Sequence, residues 1–160
     1  MKTTGIRTAA VLLMLWAMAI PARAAEPAAR AGTVKLVNGS VVVQNSNGER
    51  ALQSGDALTA ADRIVTGADS SASVVLRDGT VMVIGPGSRL ELKAFSFDST
   101  THEGNLAVSV LRGTMRMVTG LIGKTRHDAV KVDTPTSTVG ILGTDFIVEV
   151  EEPAAAGKLQ

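Results

Sequence analysis

Ser73-Val74-Val75-Leu76-Arg77-Asp78-Gly79-Thr80-Val81-Met82-Val83-Ile84 decides the fold class. Two runs of β-branched and large apolar residues flank Asp78-Gly79, and such runs suit pleated, half-buried strands. Asp-Gly favours positive φ at both central positions, as a tight hairpin turn requires. The stretch therefore reads as two antiparallel strands joined by a turn at Asp78 and Gly79.

The same grammar extends in both directions. Thr33 to Val37 ends at Asn38-Gly39, Ser40 to Gln44 ends at Asn45-Ser46-Asn47-Gly48, and Arg50 to Leu52 is short. Ser54-Gly55-Asp56 turns the chain, Ala57 to Arg63 has room for one helical turn at most, and Asp62 to Thr66 leads to Gly67. Beyond the hairpin, Gly85-Pro86-Gly87-Ser88 breaks the strand. Arg89-Leu90-Glu91-Leu92-Lys93 alternates charged and apolar residues, so one face is wet and the other buried. Ser99 to Gly104 is polar and loop-like. Leu106 to Leu111 and Thr114 to Val118 flank Arg112-Gly113, which reads as a further turn; Ala129 to Thr134 and Phe146 to Val150 are the last strand candidates. No stretch of this region keeps helical periodicity for three turns. The expectation is one small all-β domain of short strands, β-solenoid-like, with a β-sandwich as the alternative. Small β-branched residues and few aromatics favour narrow stacked coils; the Asp78-Gly79 hairpin speaks for antiparallel pairing.

The N-terminus does not belong to that domain. Lys2 and Arg7 make a basic start, Thr8 to Ile20 is apolar, and Pro21 precedes Ala22-Arg23-Ala24. These are the three regions of a Sec-type secretory signal, shorter than a membrane-spanning helix. The expected organisation is a signal peptide over 1–24, a flexible lead-in over 25–31, the β domain over 32–150 and a disordered tail over 151–160. Localisation is then periplasmic or secreted, with no stable membrane insertion after cleavage. The chain has no cysteine, which excludes a lipoprotein anchor, disulfides and thiolate metal sites. Cleavage removes Lys2, Arg7 and Arg23 from 16 basic and 15 acidic residues, so the remainder is net acidic by two. That argues against a nucleic-acid partner, which needs a basic face. The only aromatics left are Phe95, Phe97 and Phe146, which disfavours stacking platforms for sugars or single strands.

The order of motifs resembles a known family. Gly55-Asp56-Ala57-Leu58, Asp62 to Gly67, Ser70 to Thr80 and Gly85 to Leu92 are similar to segments of the periplasmic FecR domain. Leu111-Arg112-Gly113-Thr114 and Val132 to Phe146 follow in family order. The resemblance covers about Gly32 to about Val150; each motif is a plausible turn, and their joint order is specific. It implies a solenoid-like recognition module without catalysis. In the best-known members the domain is joined by one membrane helix to a cytoplasmic regulator of a sigma factor, and it receives the state of a TonB-dependent outer-membrane transporter. This sequence shows neither a cytoplasmic segment nor a retained helix, so it is not expected to carry a signal across the membrane by itself. It also stops soon after Asp145-Phe146, where many relatives add strands, which leaves its last strand as an open edge.

Candidate chemistry is sparse. His102 and His127 lie in polar surroundings with no placed nucleophile, so no catalytic residue is assigned. Asp56, Asp62, Asp69 and Asp78 recur at six- to nine-residue spacing, but calcium-binding repeats are near-identical and these are not; they read as turn residues, and no metal or cofactor is expected. The glycines of Gly85-Pro86-Gly87 and Gly140-Ile141-Leu142-Gly143 lack the lysine and helix of a phosphate loop. Asp78, Gly79, Gly113 and Gly143 are expected to make turns, with Asp145 accepting turn amides near Gly143.

Two surfaces are candidates for partner binding. Leu121, Ile122, Lys124 and Arg126 fall in an expected loop, although Leu121 and Ile122 also suit a core cap. Phe146 and Val148 lie on the last strand, whose edge can accept a strand from another envelope protein or from a second copy, giving a homo-oligomer. Glu149, Glu151 and Glu152 are placed to guard that edge. The expected function is a non-catalytic recognition or scaffolding module that binds an envelope protein, with sensing as a consequence; binding of cell-wall glycan or another small ligand is the alternative.

Overall fold

The computed structural model describes residues 29–141 and 144–151. The expected signal peptide and most of the expected tail lie outside them. The described residues form one all-β domain. Its strands are β1 (Arg30–Asn38), β2 (Val41–Asn45), β3 (Gly48–Ala51), β4 (Ala57–Thr59), β5 (Arg63–Thr66), β6 (Ser71–Leu76), β7 (Val81–Ile84), β8 (Arg89–Phe97), β9 (Gly104–Val118), β10 (Val130–Asp133), β11 (Thr138–Gly140) and β12 (Asp145–Val150). One short helix, α1 (Leu121–Thr125), and a 3-10 turn (His127–Ala129) separate β9 from β10.

The strands make one strongly curled sheet with two arms that share β9. One arm runs β4-β1-β6-β7-β9-β12, using the C-terminal part of β9. The other runs β3-β2-β5-β8-β9-β10-β11, using its N-terminal part. Neighbours are antiparallel except β9 and β10. A solenoid stacks successive coils in parallel, so the expected coil stack is not the arrangement found here.

What is stacked is a row of corners. The row contains the passages from arm to arm between β1 and β2, β5 and β6, β7 and β8, and within β9; the chain also crosses over and back on either side of β4. At a corner the backbone groups lose their strand partners, and buried ones must find others. Hydroxyls and neighbouring corners supply them. Ser70 Oγ accepts the Ser40 amide at 2.8 Å, Thr66 Oγ1 accepts the Ser88 amide at 2.8 Å, and Ser88 Oγ accepts the Thr114 amide at 3.0 Å. The Gly67 amide donates to Ser40, Gly87 to Gly67, and Gly85 to Thr114, each at a carbonyl 2.8–2.9 Å away. Thr66, Ser70 and Ser88 are buried accordingly.

The core lies between the arms. Val34, Val74, Met82, Met115 and Met117 of one arm face inward, as do Val43, Ile64, Leu90, Leu106, Val108 and Val132 of the other. Four sequence expectations need correction. Arg112-Gly113 is not a hairpin turn: β9 runs through it as one 15-residue strand and bends there, with Gly113 at φ +84°. Ala57–Thr59 is a strand, since pairing with β1 turns Leu58 into the core. Leu121–Thr125 is helical rather than a loop, because Ile122 seats in the core and the Leu121 amide donates to the Asp78 carbonyl at 2.8 Å. The first strand begins at Arg30, with Ala31 already buried.

The Asp78-Gly79 hairpin joins β6 to β7 in antiparallel register. Only Gly79 takes positive φ there. Asp78 is buried instead, and its carboxylate accepts the Thr80 amide at 3.0 Å and the Thr80 hydroxyl at 2.7 Å. Thr80 Oγ1 in turn accepts the Gly120 amide at 2.9 Å, which ties the hairpin to the entry of α1.

Candidate docking edge

Among the described residues both arms end near the C-terminus in strands paired on one side only. β12 pairs with β9 alone and β11 with β10 alone. Between them lies an open groove of about 450 Å³ lined by Val139, Gly140, Ile141, Phe146, Ile147, Val148 and Glu149. An edge strand presents unpaired N–H and C=O groups to any incoming chain. The opposite end of the sheet is different. β3 there carries Glu49 and Arg50, and Arg50 is paired with Asp56.

The register fixes which way β12 faces. Phe146 sits opposite Met117 and Val148 opposite Met115, two core methionines. Phe146 and Val148, both expected as contact residues, are half-buried lids on the core that also line the groove. Ile147, which sequence reasoning passed over, points outward and is 70% exposed. It ends a cross-strand row on the outer face of its arm, running Leu36, Ser73, Val83, Arg116, Ile147. Leu36 and Val83 are exposed as well, as is Val118 one row over.

The turn amides near Gly143 that Asp145 is expected to accept lie outside the described residues. The Asp145 carboxylate takes both Nε and an Nη of Arg116, at 3.0 and 2.6 Å. These hydrogen bonds, aided by the guanidinium charge, hold the Asp145 carboxyl below its usual range. Gly143 lies outside the described residues. Glu149 and Glu151 are exposed and take part in no ion pair among the described residues.

The other expected surface is divided. Ile122 is fully buried, so it cannot meet a partner: Gly104 and Thr119 leave the space that its side chain and Gly123 fill. Leu121 is about a third exposed and Lys124 is exposed, while Arg126 is paired with Asp128 at 2.9 Å. His102 stacks on Phe97 with ring centres 6.3 Å apart, and His127 opens the 3-10 turn. Among the described residues no three histidine or acidic side chains come together as a metal site. No helix there is long and apolar enough to cross a membrane.

A polar cleft of about 230 Å³ lies elsewhere, on the arm of β2, β5 and β8. Gln44, Asn45, Ser46, Ala61, Arg63 and Glu91 line it. Arg63 donates to Glu91 at 2.9 Å, while its buried Nε has no hydrogen-bond partner among the described residues.

The family model described as "FecR protein" matches residues 62–158. A solved structure described as a "Cell surface anchoring domain" is 38% identical, over 39% of this chain and 84% of that one, with a TM-score of 0.38. No curated protein matches the chain.

Proposed function

The chain belongs to the FecR protein family, and from that premise we propose that it is a non-catalytic recognition module of the bacterial envelope. It takes up a strand of another envelope protein at the free edge of β12. The observation that carries this reading is the open side of β12, with Ile147 70% exposed upon it and a groove between it and β11. Strand addition draws affinity from main-chain hydrogen bonds and specificity from alternate side chains, and no bond is made or broken. The basic start, apolar run and small-residue site of the N-terminal sequence support a periplasmic location. The consequence of binding is sensing or organisation of the envelope.

The test is a photo-crosslinking residue placed at Ile147, and in a second variant at Glu49, in intact cells. One protein adduct at Ile147 and none at Glu49 supports the reading; the same adducts at both positions, or none, overturn it. A second reading, glycan binding, rests on the unpaired Arg63 Nε in the polar cleft, which a sugar hydroxyl would satisfy. It requires retention on peptidoglycan that is lost in Arg63→Lys.

A further inference from the structure

Going beyond strand addition at β12, we infer that a second copy of this chain packs on the outer face of the arm β4-β1-β6-β7-β9-β12, about a two-fold axis running along β7. That pairing uses the face of the sheet and leaves the edge of β12 open, so the two readings stand or fall separately. Leu36, Val83, Val118 and Ile147, four of the six large apolar side chains exposed among the described residues, lie on this one face. Val75 and Val81, half-buried, lie between them. The outer face of the other arm carries a polar row instead, Gln44, Arg63, Glu91, Ser109 and Asp133, in which Arg63 is paired with Glu91 and Asp133 with Lys93.

Two rows cross the apolar face. One runs Leu36, Ser73, Val83, Arg116, Ile147, and the next runs Thr33, Val75, Val81, Val118, Asp145. β7 supplies the middle residue of both. An axis along β7, between two copies laid face to face, sets each row against its own reversal. Val83 and Val81 then meet their counterparts, Val75 meets Val118, and Leu36 meets Ile147. Ser73, the smallest side chain of its row, lies against Arg116, the longest. A curled sheet touches its copy most closely at the middle strand. Valine stands there, and the longer Leu36 and Ile147 stand at the margins, where the gap widens.

Charge follows the same symmetry. Lys35, in the bulge of β1, and Glu149, on β12, are exposed, and neither is in an ion pair among the described residues. The axis along β7 lays the β1 margin of one copy over the β12 margin of the other, base over acid. An axis across the strands lays β1 on β1 and β12 on β12, base over base and acid over acid. Five strands about 4.8 Å apart, with three outward positions about 6.7 Å apart on each, cover roughly 500 Å² per copy. A standard interface takes about 800 Å² per partner, so the dimer is a weak one that forms with rising concentration.

Sedimentation equilibrium of the full chain, from about 1 μM to about 1 mM, should show monomer passing to dimer. Val83→Glu and Val83→Lys each set like charges on the axis and should weaken the dimer at least about tenfold. Their equimolar mixture should restore it as a heterodimer. The chain has no cysteine, so a second measurement is clean: Leu36→Cys mixed with Ile147→Cys should be joined by a short bis-maleimide, while neither variant is joined to itself. A chain still monomeric at about 1 mM overturns the proposal. So do Val83 variants that dimerise like the wild type, a mixture that restores nothing, or cysteines that link only to their own kind.

Discussion

Ser88 Oγ accepts the Thr114 amide at 3.0 Å and lies 3.2 Å from the Thr114 carbonyl, so one side chain grips both backbone groups of its neighbour across a corner. Gly113 beside it cannot carry a side chain. A Cβ there would lie 2.2 Å from Ser88 Oγ and 2.6 Å from Ser88 Cα, and the residue has φ +84°. Gly79 has nearly the same φ, +85°, but nothing within 4 Å of a Cβ. Gly79→Ala should therefore cost the left-handed strain alone, about 1–2 kcal/mol. Gly113→Ala adds a backbone clash and should cost about 3 kcal/mol or more. Urea denaturation of both variants measures the difference. Equal losses would mean that the corner yields and that its packing does not hold the arms.

Thr80 is a second joint, between hairpin and helix. It donates to Asp78 and accepts from the Gly120 amide, all buried. Thr80→Val keeps the shape and strands that amide and one oxygen of the Asp78 carboxylate, whose other oxygen still accepts the residue 80 amide. The loss should be about 2–3 kcal/mol, because a buried group without a partner costs its full desolvation. Amide exchange at Gly120 and Leu121 should quicken more than exchange in β2. A uniform change across the domain would refute a local joint.

These joints mark the limit of what the sequence makes legible. The β6–β7 hairpin could be read because Asp78-Gly79 advertises its turn locally. β9 reads as two strands along the sequence because its apolar phase flips: Leu106, Val108 and Val110 are buried, then Met115 and Met117, with Gly113 between. A flip with a glycine reads as a turn along the chain, and only the partners β8 and β7 reveal a bend. β4 is three residues long and owes its conformation to β1, so no local pattern could announce it. α1 is too short for periodicity to register. Alternation in Phe146 to Val150 shows two faces without saying which is inside. The register against Met115 and Met117 decides that, and it moves the exposed position from Phe146 and Val148 to Ile147.

The Arg116–Asp145 pair should make the docking of β12 sensitive to acid. The Asp145 pKa is lowered in the folded chain, chiefly by hydrogen bonds from Arg116. A depressed carboxyl binds protons more readily unfolded than folded. Its stabilising contribution is thus whole above the ordinary aspartate pKa and drains away as pH falls through the lower folded one. Arg116→Gln should return Asp145 to the ordinary range and loosen β12 already at neutral pH. An NMR titration of the Asp145 carboxyl, with amide exchange across 145–150, tests this; identical titration in both proteins would sink it.

Neighbouring residues of β12 should separate stability from binding. Phe146 covers Met117 and Val148 covers Met115, so deleting Phe146 to Val150 uncovers both methionines and should leave no folded domain. Phe146→Ala alone should cost about 2 kcal/mol, less than a fully buried phenylalanine because Phe146 is only half-buried. Ile147→Ala should change stability by no more than about 0.5 kcal/mol, since its side chain is mostly in water. Yet a strand added at the proposed edge would lie beside Ile147, so Ile147→Ala should reduce partner capture while the melting temperature holds. The comparison requires denaturation and capture on the same two variants. If Phe146→Ala impairs capture at unchanged stability and Ile147→Ala impairs neither, the partner is held by the inner face of β12 and Ile147 is not its contact.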